Sequence, residues 1–133
     1  MTTMLHTTLP AWDQVVQSRD ARVLAALVAD DAVFYSPAVH TPQRGKHLVV
    51  AYLSAAFHVS FNDSFRYVRE VVSGNDAVLE FEVEIDGVTL NGVDMICCDD
   101  AGLNVASKVM IRPLKAINLI HQKVGEVLQR RQP

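Results

Sequence analysis

The alternation of side chains in residues 76–85, DAVLEFEVEI, is the feature that most constrains the fold. Successive side chains on a β-strand point to opposite faces, so this segment predicts a strand with one apolar and one acidic face. The apolar face is formed by Leu79, Phe81, Val83 and Ile85. The DG pair at 86–87 follows directly and is typical of a tight hairpin turn. This stretch therefore predicts an antiparallel sheet with one face on a hydrophobic core and one face in water.

Three further segments have the composition of strands that join the same sheet. FRYVREVVSG at 65–74 precedes the alternating strand, and VTLNGVDMICC at 88–98 follows the hairpin. DDAG at 99–102 then turns the chain into LNVASKVMIR at 103–112. We predict that the four strands form an antiparallel meander.

Two helices are predicted at the start of the chain. Pro10 suits the first turn of a helix that continues to Arg19. A second, short helix follows, because apolar residues at 23, 24, 27 and 28 recur at helical spacing. ADDA at 29–32 is expected to close that helix.

A short strand and two longer helices complete the predicted elements. VFYS at 33–36 reads as a strand that Pro37 stops, and HTPQRG at 40–45 as a loop. Apolar residues from 46 to 59 recur at helical spacing. After the last strand, a similar stripe over 114–128 predicts a C-terminal helix.

This order of elements predicts a single α+β domain that spans residues 1–133. A chain of 133 residues, half of them hydrophobic, is sufficient for one core. Helices packed on one face of a curved antiparallel sheet form a cone, which side chains of ordinary size do not fill completely. We therefore expect a pocket between the sheet and the helices, lined mainly by apolar residues.

The predicted strands at 88–98 and 103–112 carry apolar residues on both faces. Leu103, Val105, Val109 and Ile111 are expected on one side, and Ala106 and Met110 on the other. One face can pack on the helices while the other meets a second subunit. We therefore expect a homodimer that associates through its sheet.

Composition excludes several classes of function. The formal net charge is −3 and the basic residues do not cluster, which argues against nucleic-acid binding. No apolar run is long enough to cross a bilayer, and the first residues do not resemble a signal peptide. Cys97 and Cys98 are adjacent and cannot readily form a disulfide, which fits a reducing compartment. We expect a soluble cytoplasmic protein.

Asp94 is the residue that does not fit the strand that contains it. It shares a predicted strand face with Leu90, Gly92, Ile96 and Cys98, all without charge. A buried, unpaired carboxylate is unfavourable, so such a group finds partners or becomes neutral, and both outcomes are common in active sites. Asp94 is therefore the candidate catalytic residue, with a buried structural hydrogen bond or an exposed position as the alternatives.

Two segments carry a resemblance to a known family. The segments ALVADDAVFYSP, at 26–37, and GVDMICCDDAGLNVASKVMIRPLKAI, at 92–117, resemble the nuclear transport factor 2-like superfamily. Within it they are most similar to the SnoaL-like polyketide cyclase and ketosteroid isomerase group. The resemblance extends from about Leu9 to about Gln129 and implies a cone-shaped, cystatin-like roll. It leaves the activity open, because this fold hosts enzymes and non-catalytic binding modules.

The resemblance implies a different role for each of three positions. Ketosteroid isomerases have a basic aspartate before the proline that follows the first strand, where this chain has Ser36, and a hydroxyl is too weak a base to replace it. Their first-helix tyrosine aligns with Trp12, which can donate only from its indole N–H. Their oxyanion-hole aspartic acid matches Asp94, which as a neutral acid can donate to a developing enolate.

Among the reactions of the group, polyketide cyclases match best, because they are similar in relying on one aspartate for acid/base work. Epoxide hydrolases of this fold need an arginine and two carboxylates, and dehydratases need a histidine and tyrosines that converge. The prediction is thus an isomerase-type or cyclase-type enzyme that uses no cofactor or metal and acts on a small apolar carbonyl compound. The alternative is a dimeric binding module without catalysis.

Several residues are candidates for positioning a ligand beside Asp94. They are Trp12, Ser36, Tyr52, His40 and His58. An Asp–His pair suits proton transfer, and His40, His47 and His58 are the histidines available for it, without a preference in the sequence. Because no metal motif such as H-E-x-x-H occurs, we expect no metal site.

Overall fold

One six-stranded sheet organises the described part of the chain, which is residues 21–130 in the computed structural model. The helices are α1 (Ala21–Ala25), α2 (Lys46–Ser60) and α3 (Leu114–Arg130). The strands are β1 (Val28–Tyr35), β2 (Gln43–Arg44), β3 (Arg66–Ser73), β4 (Asp76–Ile85), β5 (Val88–Cys98) and β6 (Asn104–Arg112). The predicted helix at 10–19 lies outside the described residues.

The sheet is mixed, in the order β2-β1-β6-β5-β4-β3. Strands β3 to β6 form the predicted antiparallel meander. Strand β1 lies beside β6 and runs parallel to it, which the prediction of an antiparallel sheet did not include. The long connection from β1 to β6, which contains α2 and four strands, makes a parallel neighbour accessible, whereas a hairpin would not.

The boundary between α1 and β1 differs from the prediction. The helix ends at Ala25, and residues 29–32, expected to close it, belong to the strand. Val28 pairs with Asn104 of β6, and the pairing shifts register before Val33. The irregularity leaves Asp30 and Asp31 exposed, which breaks the period-2 pattern that identifies a strand in a sequence.

Strand β6 also departs from regular alternation. Cys97 pairs with Ala106 but Cys98 pairs with Asn104, so Val105 is the extra residue of a bulge. Asn104 and Ser107, both 0% exposed, therefore face the core, where the alternation predicted Leu103 and Val105. The Nδ2 group of Asn104 donates a hydrogen bond of 2.7 Å to Ser107 Oγ.

Helices α2 and α3 cover one face of the sheet, which we call the inner face. Val49 and Leu53 of α2 pack in a cluster that includes Leu79 and Ile96. A second cluster joins the α3 residues Ala116 and Ile120 to Phe81, Val83, Ile85 and Leu90. Both helices follow their predicted bounds closely because their apolar stripes match this face.

The opposite face, which we call the outer face, is free of helices in the described residues and is partly apolar. Val78 and Met110 are 38% and 52% exposed. Cys97 is half-buried on this face and Cys98 is buried on the inner face, and no disulfide joins them. No helix within residues 21–130 is long and apolar enough to span a membrane.

Candidate active site

Asp94 lies at the centre of the inner face. Its strand, β5, has a neighbour on each side, and Asp94 pairs with Leu79 of β4 and Val109 of β6. Paired residues share a sheet face, so the carboxyl group has an apolar side chain on either side. Only 8% of Asp94 is exposed, which confirms that the carboxyl points away from bulk water.

The Asp94 carboxyl is buried without a full set of hydrogen bonds from the described residues. The Oδ1 atom is buried and has no hydrogen-bond partner among the described residues. Burial raises the pKa of Asp94 from 3.8 to about 7, because removal from water disfavours the charged form. Near neutral pH the carboxyl is therefore present in both its protonated and its ionised form.

A cavity of about 150 Å³ adjoins Asp94, between the inner face and helices α2 and α3. An apolar protein cavity of roughly this volume holds a benzene-sized molecule. The exposed residues in its lining are Ala38 and His121, which mark where it opens to solvent. The site therefore combines one titratable carboxyl with room for a small apolar guest.

Aromatic rings form much of the cavity wall. Phe57 of α2 and Phe61, which follows the last residue of that helix, stack with their centroids 4.5 Å apart. Phe65 meets Phe61 at 4.6 Å and stacks on Phe81 at 5.4 Å. These rings fix an apolar surface next to the carboxyl, and aromatic pairs at such distances are stabilising beyond the area that they bury.

Comparison with known proteins identifies the family. Residues 10–104 match the SnoaL-like domain. The chain belongs to the SnoaL-like domain family. A crystal structure of a steroid delta-isomerase from Pseudomonas aeruginosa is 35% identical, with a TM-score of 0.84 over 98% of this chain and 93% of that one. A search of curated proteins found no match.

Two further crystal structures share the fold of this SnoaL-like domain. One, from Silicibacter pomeroyi, is an uncharacterised protein with a cystatin-like fold, 29% identical, with a TM-score of 0.84 over 92% of this chain and 85% of that one. The other is a nuclear transport factor 2-like protein of unknown function from Mesorhizobium loti, 19% identical, with a TM-score of 0.71 over 83% and 92% of the two chains. The cystatin-like roll expected from the sequence is thereby confirmed.

The cavity of the SnoaL-like domain contains some of the residues predicted for it. Ser36 and Tyr52 line it together with Asp94. Ser36 Oγ accepts a hydrogen bond of 3.1 Å from the Ala38 backbone N–H, and the Tyr52 ring lies 5.9 Å from that of Phe34. Trp12 lies outside the described residues.

The predicted histidines lie elsewhere. His40, His47 and His58 are all exposed, and none lines the cavity. His58 instead borders a polar recess with Glu84 and Lys123. The Asp–His pair considered for Asp94 is therefore not formed by these residues, because the exposed face of α2 carries His47 and His58 away from the sheet.

Helix α3 supplies a part of the site that the sequence reasoning missed. His121, Val124, Gly125 and Leu128 all line the cavity. Their spacing of i, i+3, i+4 and i+7 defines one helical face, and the apolar stripe already indicated it. What the stripe did not indicate is that this face meets a cavity rather than filled core.

The chemistry available at the site is proton transfer. Within residues 21–130 no group of three or more His, Cys, Asp or Glu side chains is arranged to hold a metal ion. The cavity presents instead the Asp94 carboxyl and the hydroxyl groups of Ser36 and Tyr52. A carboxyl that titrates near neutral pH can both accept and donate a proton, and the hydroxyls can donate hydrogen bonds to a carbonyl oxygen.

Proposed function

We propose that this SnoaL-like domain is a cofactor-free acid/base enzyme that acts on a small apolar carbonyl compound. The observation that carries the proposal is the Asp94 carboxyl, which is buried beside an apolar cavity and whose Oδ1 atom has no partner within residues 21–130. A structural carboxylate in such a place is normally hydrogen-bonded. An unpaired one is left available to a ligand.

The proposed step moves one proton. The ionised Asp94 accepts a proton from the carbon next to the carbonyl, and the C–H electron pair moves into the enolate. In a β,γ-unsaturated ketone the enolate is conjugated with the C=C bond, and the protonated Asp94 returns the proton to the far carbon of that bond, which is an isomerisation. In a cyclisation, the enolate carbon instead attacks a second carbonyl of the same molecule, and Asp94 protonates the new alkoxide. A pKa of about 7 suits Asp94 both to accept and to donate a proton, because near neutral pH the ionised and the protonated carboxyl are both well populated.

The cavity supports a substrate smaller than a steroid. Its volume of about 150 Å³ fits roughly one ring. Ser36 also occupies the place where the resemblance puts the basic aspartate of ketosteroid isomerases. Although the Pseudomonas aeruginosa protein is described as a steroid delta-isomerase, we therefore propose for this chain a ketone with one ring in the cavity and at most a second ring that extends toward α3.

The proposal is tested by proton exchange at carbon. Cyclohexanone in deuterated water is incubated with the wild-type protein, and the loss of α-proton signals is followed by NMR. We expect Asp94→Asn to reduce the protein-dependent rate by roughly 10²-fold or more, since the amide cannot accept the proton. The matched control is Glu70→Gln, an exposed carboxylate of β3, which should leave the rate unchanged. Full activity of Asp94→Asn would contradict the proposal.

A binding module without catalysis is the second candidate. It is favoured by the exposure of His40, His47 and His58, none of which lines the cavity to share the proton of Asp94. In that case cyclohexanone would raise the unfolding temperature of the protein without any exchange of its α-protons. Binding and exchange are measured on the same sample, so the two functions are separated directly.

We also propose that the outer face forms a homodimer interface. Val71, Val78 and Met95 lie in one row across β3, β4 and β5, because each pairs with the next. Val93 and Met110 form the adjacent row. Val71 and Met110 are each 52% exposed in the single chain, and isologous contact of two such faces would bury them.

A cytoplasmic location is the remaining part of the proposal. Cys97 and Cys98 form no disulfide, and a reducing compartment keeps cysteines in that state. Fractionation of cells that express the full chain tests it, with recovery in the cytosolic fraction as the expected result.

A further inference from the structure

Gly125 stands at the centre of the α3 face that lines the cavity. His121 lies one turn before it and Leu128 about one turn after it, and all three contribute to the same wall. Those two neighbours carry side chains to the wall, whereas Gly125 carries none. The wall is therefore recessed at this position.

Nothing in the local structure requires glycine at position 125. A glycine inside a helix is destabilising relative to alanine. Its backbone is not in the left-handed region, which four other glycines of the described chain occupy. A Cβ atom placed on Gly125 would meet no atom of the described residues within 4 Å. Neither backbone conformation nor close packing explains the residue, and what it provides is open space beside the cavity.

We propose that Gly125 is a specificity-determining residue, which admits ligands that extend from Asp94 toward α3. A ligand with its polar group at Asp94 would place one ring against the aromatic wall. The recess at Gly125 would accommodate a second, fused ring. This inference rests on the cavity's being a ligand site and does not depend on catalysis.

Two phenols of different length test the proposal. Phenol and 2-naphthol each carry one hydroxyl for Asp94 and differ by one fused ring. Their dissociation constants are measured by isothermal titration calorimetry with the wild type, Gly125→Ala and Gly125→Leu. We expect Gly125→Leu to raise the dissociation constant of 2-naphthol by roughly tenfold. The dissociation constant of phenol should change by less than about twofold. Gly125→Ala should shift the ratio of the two constants in the same direction by a smaller factor.

The matched control is Gln129→Leu, which adds the same side chain to an exposed position of the same helix. It should leave both dissociation constants at their wild-type values. Circular dichroism and thermal unfolding verify that each variant is folded. Gly125→Ala keeps the test decisive even if the leucine variant unfolds, because its Cβ meets no described atom.

Three outcomes would overturn the inference. They are an unchanged ratio of the two constants in both variants, an equal loss of affinity for both phenols, and failure of the wild type to bind either phenol. The result is separate from the exchange test on Asp94. A changed ratio with no proton exchange would refute the enzymatic function alone, and exchange with an unchanged ratio would refute the role of Gly125 alone.

Discussion

The ring of Phe81 lies against the backbone of Gly92, its pairing partner on β5. A Cβ atom at position 92 would come within 2.4 Å of Phe81 Cζ, well inside contact distance. Gly92 is two residues before Asp94 on the same sheet face, and the Phe81 ring also stacks on Phe65. The glycine therefore lets an aromatic ring lie flat on the strand beside the carboxyl. This pair fixes the cavity wall at the point where the chemistry is proposed.

Gly92→Ala is expected to destabilise the protein by roughly 1–3 kcal/mol, because the new methyl group displaces a packed ring. Urea denaturation measures the change in the free energy of unfolding. The matched control is Gly125→Ala, where the same methyl group meets no described atom and helix propensity favours alanine. The double variant Gly92→Ala with Phe81→Leu should lose less free energy of unfolding than the two single variants lose in sum, because the smaller side chain leaves room for the methyl group. Wild-type stability of Gly92→Ala would show that the ring is free to move aside.

Asp94→Asn is expected to stabilise the protein above neutral pH. The folded-state pKa is raised from 3.8 to about 7, so the folded form binds the proton more tightly than the unfolded form. The contribution of Asp94 to the stability of the wild type is then greatest below pH 4, falls as the pH rises toward 7, and levels off above pH 8. Over that window the loss is at most about 4 kcal/mol. The neutral amide avoids this loss.

Thermal unfolding from pH 4 to pH 9 tests that expectation. Wild type and Asp94→Asn should unfold at similar temperatures near pH 4 and diverge as the pH rises, with the variant the more stable. Glu70→Gln, at an exposed site, serves as the control and should follow the wild type. A variant that is less stable than the wild type at pH 8 would indicate that the Asp94 carboxylate makes structural hydrogen bonds.

Ser107→Ala is expected to reduce the free energy of unfolding by roughly 1–3 kcal/mol. Its hydroxyl is the acceptor for the buried Nδ2 group of Asn104, and removal leaves that donor unsatisfied. The double variant Asn104→Leu with Ser107→Ala should recover part of the loss, since it removes both polar groups. Urea denaturation measures the free energy of unfolding of the wild type and of both variants. An equal loss of unfolding free energy in the single and the double variant would contradict this explanation.

Met110→Lys is expected to convert the proposed dimer to a monomer. Met110 is 52% exposed on the outer face, so a lysine there is compatible with the folded single chain but not with an apolar interface. Sedimentation equilibrium measures the mass against the 14.7 kDa of one chain. Leu114→Lys, at a 70% exposed position beyond the sheet, is the control and should remain dimeric. A wild type of monomer mass would contradict the interface.

The long meander could be predicted from the sequence because its pattern is local. The alternation around Phe81 identifies the strand and its buried face, and the turn at residues 86–87 sets the register with the next strand. The strand at Val28 could not be predicted in the same way. Its bulge breaks the alternation, and its pairing with Asn104 connects residues that are distant in the chain. Irregular pairing of that kind is visible only in three dimensions.

The candidate site was predictable to the same extent. Asp94 could be identified because a charged residue interrupts an apolar face within one strand. For His47 and His58 the outcome depended on which way α2 faces, and the apolar stripe of that helix leaves both histidines exposed. His40 precedes the helix, in a segment without a periodic pattern. His121 and Gly125 were not identified, because a residue that lines a cavity and one that packs in a core have the same periodicity.

The most direct test of the central claim is the pKa of the Asp94 carboxyl in the folded protein. The ¹³C chemical shift of its Cγ, followed from pH 3 to pH 9 and assigned by comparison with Asp94→Asn, reports that value. The account predicts that the Asp94 signal titrates near pH 7. An Asp94 signal that titrates near pH 4 would contradict it, because the carboxyl would then be hydrated or hydrogen-bonded and unsuited to proton transfer at neutral pH.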